Sequence, residues 1–70
     1  MGLRELRKER GLSLEAVSVL AGIDLATVSR LERGLHEPRP ATIVKLARGL
    51  GIRAKRMKAI LEETLEVAAK

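Results

Sequence analysis

Residues 14–34 read LEAVSVLAGIDLATVSRLERG, and this spacing of apolar and helix-breaking residues predicts two short helices joined by a tight turn. Ser13 and Asp24 are suited to accept hydrogen bonds from the free N–H groups at the start of each helix. Gly22 and Gly34 end the helices, because glycine readily adopts the left-handed conformation that follows a helix. The segment therefore predicts a helix, a turn and a second helix.

The apolar positions of this segment also fit one defined way of packing. Two helices that cross at a tight turn need apolar side chains between them, a small residue at the crossing and a glycine at the turn. The residues that meet these needs are Val17, Ala21, Ile23, Val28 and Leu31, with Ser18 at the crossing and Gly22 at the turn. This is the pattern of a helix-turn-helix, whose second helix lies in the major groove of DNA.

Helices are also predicted on both sides of this segment. Leu3 and Leu6 recur at helical spacing before Gly11, which indicates a short first helix. Pro40 suits the first position of another helix, in which Gly49 is only a weak interruption.

The last segment, about residues 54–69, predicts a terminal amphipathic helix. Its basic residues come first and its acidic residues later, which opposes the helix dipole. Along one face of this helix runs a mostly apolar stripe at helical spacing, which consists of Met57, Ile60, Leu61, Thr64, Leu65 and Ala68. No strand alternation is visible, so the expected fold is all-α: a compact five-helix domain, with residues 1–70 forming a single unit.

Charge is unevenly distributed along the chain. The formal net charge is +5, yet residues 1–58 alone carry +7 and residues 59–70 carry −2. A basic body favours a polyanionic partner, and nucleic acid is the commonest one. The alternative is an ordinary solvated surface.

The chain contains no Phe, Tyr or Trp. Unpaired bases are usually bound by stacking on aromatic side chains, so the absence of aromatic residues argues against recognition of single strands or RNA loops. Duplex DNA remains as the favoured nucleic-acid partner.

Catalysis, metal binding and membrane insertion find no support in the sequence. His36 is the only histidine and cysteine is absent, so we expect no metal site and no cofactor, with His36 in a solvent-facing loop. Glu62, Glu63 and Glu66 are read as a solvated helix face. No apolar run approaches the length of a membrane span, so we expect a cytoplasmic protein. Because these residues form no catalytic arrangement, we also expect that it is not an enzyme.

Three segments resemble the helix-turn-helix transcriptional regulators of the phage repressor and Cro type, an XRE-like family of lambda-repressor-like five-helix domains. They are LRELRKERGLS, AGIDLATVSRLERG and ATIVKLARGLGI, and the resemblance covers residues 3 to about 57. It implies a DNA-binding regulator, commonly a dimeric repressor, with residues 25–33 as the recognition helix.

The resemblance also implies which residues contact DNA. Leu25, Ala26, Ser29 and Arg30 match positions that approach base edges. Backbone-contacting positions are matched or neighboured by Ser13, Thr27, Arg33 and Arg39, and Leu14 stands where the family often has glutamine. Members commonly join an arginine of the first helix to a glutamate near the end of the recognition helix. Arg7 and Glu32 hold those positions, which implies an ion pair.

A departure from the family in the second helix and the stripe of the terminal helix both suggest protein contacts. Val19 and Leu20 replace polar residues, and with Leu14 and Leu25 they form either an apolar partner surface or part of an aromatic-free core. In many relatives the region after the fourth helix makes a twofold dimer contact. We therefore expect Met57, Ile60, Leu61 and Leu65 to contact a second copy, with an ordinary core helix as the alternative. A protein-interaction module on the same fold, such as an antitoxin or adapter, is the second functional hypothesis.

Overall fold

A computed structural model of the chain describes residues 1–69 and shows five α-helices joined by short loops. The helices are α1 (Leu3–Glu9), α2 (Leu14–Ala21), α3 (Leu25–Glu32), α4 (Pro40–Leu50) and α5 (Ala54–Ala68). The described residues form no strand, and the all-α prediction is confirmed. The predicted domain also includes Lys70, which lies outside the described residues.

The helix ends follow from local sequence. The Ser13 hydroxyl accepts a hydrogen bond from the Ala16 N–H at 3.0 Å, and the Asp24 carboxylate accepts one from the Thr27 N–H at 3.0 Å. Pro40, which has no N–H to satisfy, begins α4. Gly22 follows α2 with φ of 68°, a backbone conformation that residues with a Cβ rarely adopt.

The core is entirely aliphatic and draws on all five helices. Its buried members are Leu3, Leu6, Val17, Ala21, Val28, Leu31, Leu46, Ala47, Leu50, Met57, Ile60 and Leu61. The five apolar positions predicted to pack the helix-turn-helix are all part of this core or, for Ile23, packed against it. Their burial fixes the angle between α2 and α3.

The terminal helix corrects the sequence-based expectation of a dimer stripe. Met57, Ile60 and Leu61 are 0%, 6% and 2% exposed, so α5 uses them to close the core of its own chain. The predicted alternative of an ordinary core helix therefore holds for these three residues, which leave almost no surface for a second copy. Leu65, at the edge of the same stripe, is half-buried.

Thr64 joins α5 to the start of the chain's first helix. Its buried hydroxyl oxygen accepts a hydrogen bond from the Leu3 N–H at 2.9 Å and donates one to the Ile60 carbonyl at 2.9 Å. The first N–H groups of a helix have no partner within the helix. Thr64 therefore satisfies a buried donor at the beginning of α1.

Two glycines permit close contacts between helices. A Cβ on Gly49 would lie 2.9 Å from the backbone of Ala21 and Leu20, so α4 and α2 touch backbone to backbone there. Gly34, just after α3, has φ of 68°, and a Cβ there would overlap the side chain of Ala68 on α5. Helix α4 continues through Gly49, as predicted, and the close approach makes this glycine a packing requirement as well.

We expect Gly49→Ala to destabilise the protein even though alanine favours helix by about 1 kcal/mol over glycine. The new methyl group would force α2 and α4 apart, at a cost of about 1–3 kcal/mol typical of an overpacked core. Urea denaturation followed by circular dichroism measures the change. The two effects have opposite signs, so an increase in stability would contradict the close approach.

Candidate nucleic-acid interface

The outer face of α3 is the side opposite its buried residues Val28 and Leu31. Leu25, Ala26 and Arg30 are exposed on α3, and Ser29 is half-buried. Positions three and four residues apart are neighbours on a helix surface, so these side chains form one patch. All four predicted base-reading residues therefore lie together on the surface.

The start of α3 is fixed by a carboxylate cap. The Asp24 carboxylate accepts hydrogen bonds from the Thr27 hydroxyl at 2.7 Å and from its N–H. These bonds favour the ionised form and lower the pKa of Asp24 below its ordinary value. Stabilisation by this cap is therefore present above the unfolded-state pKa of about 3.9 and is lost as the pH falls through the lower folded-state value.

One groove runs beside the start of α3. It has a volume of about 560 Å³ and is lined by Gly22, Ile23, Asp24, Thr27, His36, Glu37, Pro38, Arg39, Thr42 and Lys45. Arg39 and His36 are exposed, which agrees with the loop position predicted for His36. Lys45 lines the groove because the packing of α4 brings it there, a placement that its position in the sequence does not indicate.

The other predicted contacts lie around the remaining edges of α3. Ser13 is exposed at the start of α2, and Leu14 is half-buried against the core. Arg33, just after α3, is exposed, and its Nε donates to the Ser29 carbonyl at 3.4 Å. Ser13 and Arg33 are thus accessible, whereas part of the Leu14 side chain belongs to the core.

Arg7 and Glu32 form the ion pair that the resemblance implies. Arg7 Nε lies 2.5 Å from Glu32 Oε2, and Arg7 Nη2 donates to Glu32 Oε1 at 3.1 Å. The side chains are only 13% and 7% exposed. Arg7 Nη1 also donates to the Leu12 carbonyl at 2.8 Å, so one guanidinium joins α1, α3 and the loop before α2.

The Arg7 pKa is raised, chiefly by the hydrogen bonds to Glu32 and against the opposing effect of burial. Glu15 adds a smaller attraction to the guanidinium. The guanidinium therefore stays protonated at neutral pH and lies against the Glu32 carboxylate, which is paired instead of being presented alone beside α3.

The exposure of Val19 and Leu20 decides between the two predicted roles of these side chains, a partner surface or part of the core. Their side chains are 81% and 52% exposed, so the suggestion that they fill the core is wrong for both. Leu25 is 42% exposed on the outer face of α3. Leu14 alone in this group packs against the core.

In a comparison with known protein families, residues 3–57 of the chain match the family model described as helix-turn-helix. The chain belongs to the helix-turn-helix family of DNA-binding transcriptional regulators. The matched region contains α1 to α4 and the first residues of α5, and so includes every predicted DNA-contacting position. No solved structure matches the chain.

Curated relatives carry the same assignment. The chain is 50% identical over 46 residues to the uncharacterized HTH-type transcriptional regulator RghRB of Bacillus subtilis, covering 64% of the chain and 33% of that relative. It is 45% identical over 51 residues to the HTH-type transcriptional repressor RghR of the same organism, covering 71% and 38%. The HTH-type transcriptional regulator SutR of Escherichia coli is 36% identical over 50 residues, covering 71% and 28%.

The matches thus span roughly a third of each relative's own length. Within residues 1–69 of the chain, no helix is both long and apolar enough to cross a membrane.

We expect Arg7→Met to lower the free energy of unfolding by about 3 kcal/mol, because it leaves the Glu32 carboxylate covered and without its cation. Chemical denaturation measures the loss. A double variant, Arg7→Met with Glu32→Leu, removes both charges and should recover much of the stability. Equal stability of Arg7→Met and the unchanged protein would mean that both groups are adequately solvated on their own.

Proposed function

We propose that the protein binds duplex DNA sequence-specifically as a dimeric repressor, with α3 in the major groove. The observation that carries the proposal is the outer face of α3, where Leu25, Ala26, Ser29 and Arg30 lie together on a helix whose other side is anchored in the core. A rigid support of this kind lets side-chain tips reach base edges at a fixed distance.

The base-reading residues have different chemical capacities. The Arg30 guanidinium can donate to both acceptors on the major-groove edge of guanine, which is worth about 1–3 kcal/mol of discrimination. Leu25 and Ala26 can contact thymine methyl groups, and the Ser29 hydroxyl can bond to several bases. One arginine therefore carries most of the direct recognition, and DNA shape supplies part of the remainder.

Contacts to the sugar-phosphate backbone supply affinity and orientation instead of base preference. Thr27 lies on α3 and is half-buried, whereas the other candidates lie outside this helix and are exposed: Ser13, Arg33 and Arg39. The Thr27 hydroxyl already donates a hydrogen bond to Asp24. To contact a phosphate, it would either accept a hydrogen bond from a bridging water molecule or rotate and donate to the phosphate. Arg33 and Arg39 are the stronger phosphate ligands.

Selection from a randomised duplex pool at near-physiological salt tests this function, since non-specific phosphate binding weakens there. The expected product is an inverted repeat with half-site centres about 10 base pairs apart, matching two recognition helices one helical turn apart. A folded protein that enriches no motif would contradict sequence-specific recognition.

Arg30→Ala and Arg39→Ala form a matched pair for the division of roles, since each removes one exposed arginine. Arg30→Ala should relax the preference at one base pair of each half-site. Arg39→Ala should weaken binding to all duplexes and lower the slope of log affinity against log salt by about one. Equal effects of the two variants on base preference would contradict the division.

The dimer would use the surface beside Leu65. This half-buried side chain lines an apolar groove of about 230 Å³ with Glu37, Pro38, Pro40, Ile43, Lys58, Leu61 and Glu62. Lys58 and Glu62 stand one helical turn apart on α5, so a twofold contact can pair each lysine with the other copy's glutamate.

Sedimentation at high micromolar concentration tests the dimer. The unchanged protein should be dimeric and Leu65→Glu monomeric, because a charge in the apolar contact is costly to bury. Val67→Glu is the control, since Val67 is 64% exposed and lies on a different side of α5. Both variants need a helical circular dichroism spectrum. An unchanged protein that sediments only as a monomer contradicts the dimer.

A protein-interaction module is the second candidate function, and the exposure of Val19 and Leu20 favours it. Two neighbouring apolar side chains on one helix offer a contact for an apolar partner surface. This function predicts a stoichiometric protein complex that is lost in the double variant Val19→Ser with Leu20→Ser. Retention of the complex by that variant would contradict a contact through α2.

A further inference from the structure

A second groove borders α3 on the side where α1 and the start of α2 approach it. We call it the α1–α3 groove. It has a volume of about 420 Å³ and is lined by Arg4, Arg7, Leu14, Ser29, Glu32 and Arg33. Ser29 belongs both to this groove and to the outer face of α3, so a duplex lying on that face would run along the groove.

The charges in the α1–α3 groove do not cancel. Arg7 neutralises Glu32 through the bidentate pair, whereas Arg4 and Arg33 are exposed and form no ion pair within the described residues. Three arginines and one glutamate give the groove a net charge of +2. In the larger groove beside Asp24, two acidic residues offset Arg39 and Lys45, so that lining is neutral when His36 is neutral.

The shape and composition of the α1–α3 groove suit a phosphate. The guanidinium groups of Arg4 on α1 and of Arg33 just after α3 can each offer paired N–H donors to phosphate oxygens. Leu14 is the first residue of α2 and lies at the groove's edge, where the N–H groups that begin a helix carry partial positive charge. Ser29 adds a hydroxyl next to the base-reading patch.

From this geometry we infer that a phosphodiester of the DNA backbone occupies the α1–α3 groove, and that Arg4 is a DNA-contacting residue acting together with Arg33. The inference rests on the proposed DNA-binding function and adds a contact from α1. It also assigns the Arg7–Glu32 pair a second effect, because neutralising Glu32 keeps a free carboxylate from facing the phosphate.

Fluorescence anisotropy with a labelled duplex over a series of salt concentrations tests the inference on the full chain. Arg4→Gln should lower the slope of log affinity against log salt by about 0.9, the value for one lost phosphate contact on duplex DNA. Near 0.1 M salt this corresponds to binding about five- to tenfold weaker. Arg4→Lys should retain the slope, and Arg4→Gln combined with Arg33→Gln should lower it by nearly two.

Arg48→Gln is the matched control, because Arg48 is an exposed arginine of α4 that lines neither groove beside α3. It changes net charge equally and should leave the slope close to that of the unchanged protein. If Arg4→Gln and Arg48→Gln behave alike while the unchanged protein binds duplex, the inference is overturned and the proposed function stands. If the unchanged protein binds no duplex, the proposed function fails and the inference fails with it.

Discussion

The contact between Arg7 and Glu32 joins α1 to the end of α3, while the core fixes the angle between α3 and α2. One guanidinium bonds the carboxylate at the end of α3 and the Leu12 carbonyl in the loop before α2. Removing two charges from water is costly, so such a pair adds little stability compared with an apolar contact of similar volume. Its directional bonds instead favour one position of α1 against the end of α3. The outer face of α3 and the groove beside Arg4 both depend on that position.

An aliphatic core makes close packing unusually important in this molecule. With no aromatic side chain to fill volume, the core depends on short distances between helices, and Gly49 allows α4 to touch the backbone of α2. The terminal helix contributes Met57, Ile60 and Leu61 to the same core. A chain of this size buries a limited fraction of its surface, so α5 is a structural element and not an appendage.

Electrostatics divides the surface around α3 into unlike regions. The groove at the start of α3 combines cations with acidic residues, whereas the α1–α3 groove is positive. In the groove at the start of α3, Asp24 has two opposing effects. Its carboxylate stabilises the first turn of α3, and it also lowers the local positive charge. The net positive charge of residues 1–58 attracts a polyanion in general, and its local arrangement decides how that polyanion is oriented.

The sequence by itself determined the helices and the packing of the helix-turn-helix. Ser13, Asp24, Pro40 and the glycines act through backbone groups a few residues away, so their effects are local. Only the tertiary structure decided how Gly49 and Met57 pack and which groove Arg4 lines. A glycine, an apolar stripe or one arginine among several looks the same in sequence whether or not another helix lies against it, because burial and charge pairing depend on residues far apart in the chain.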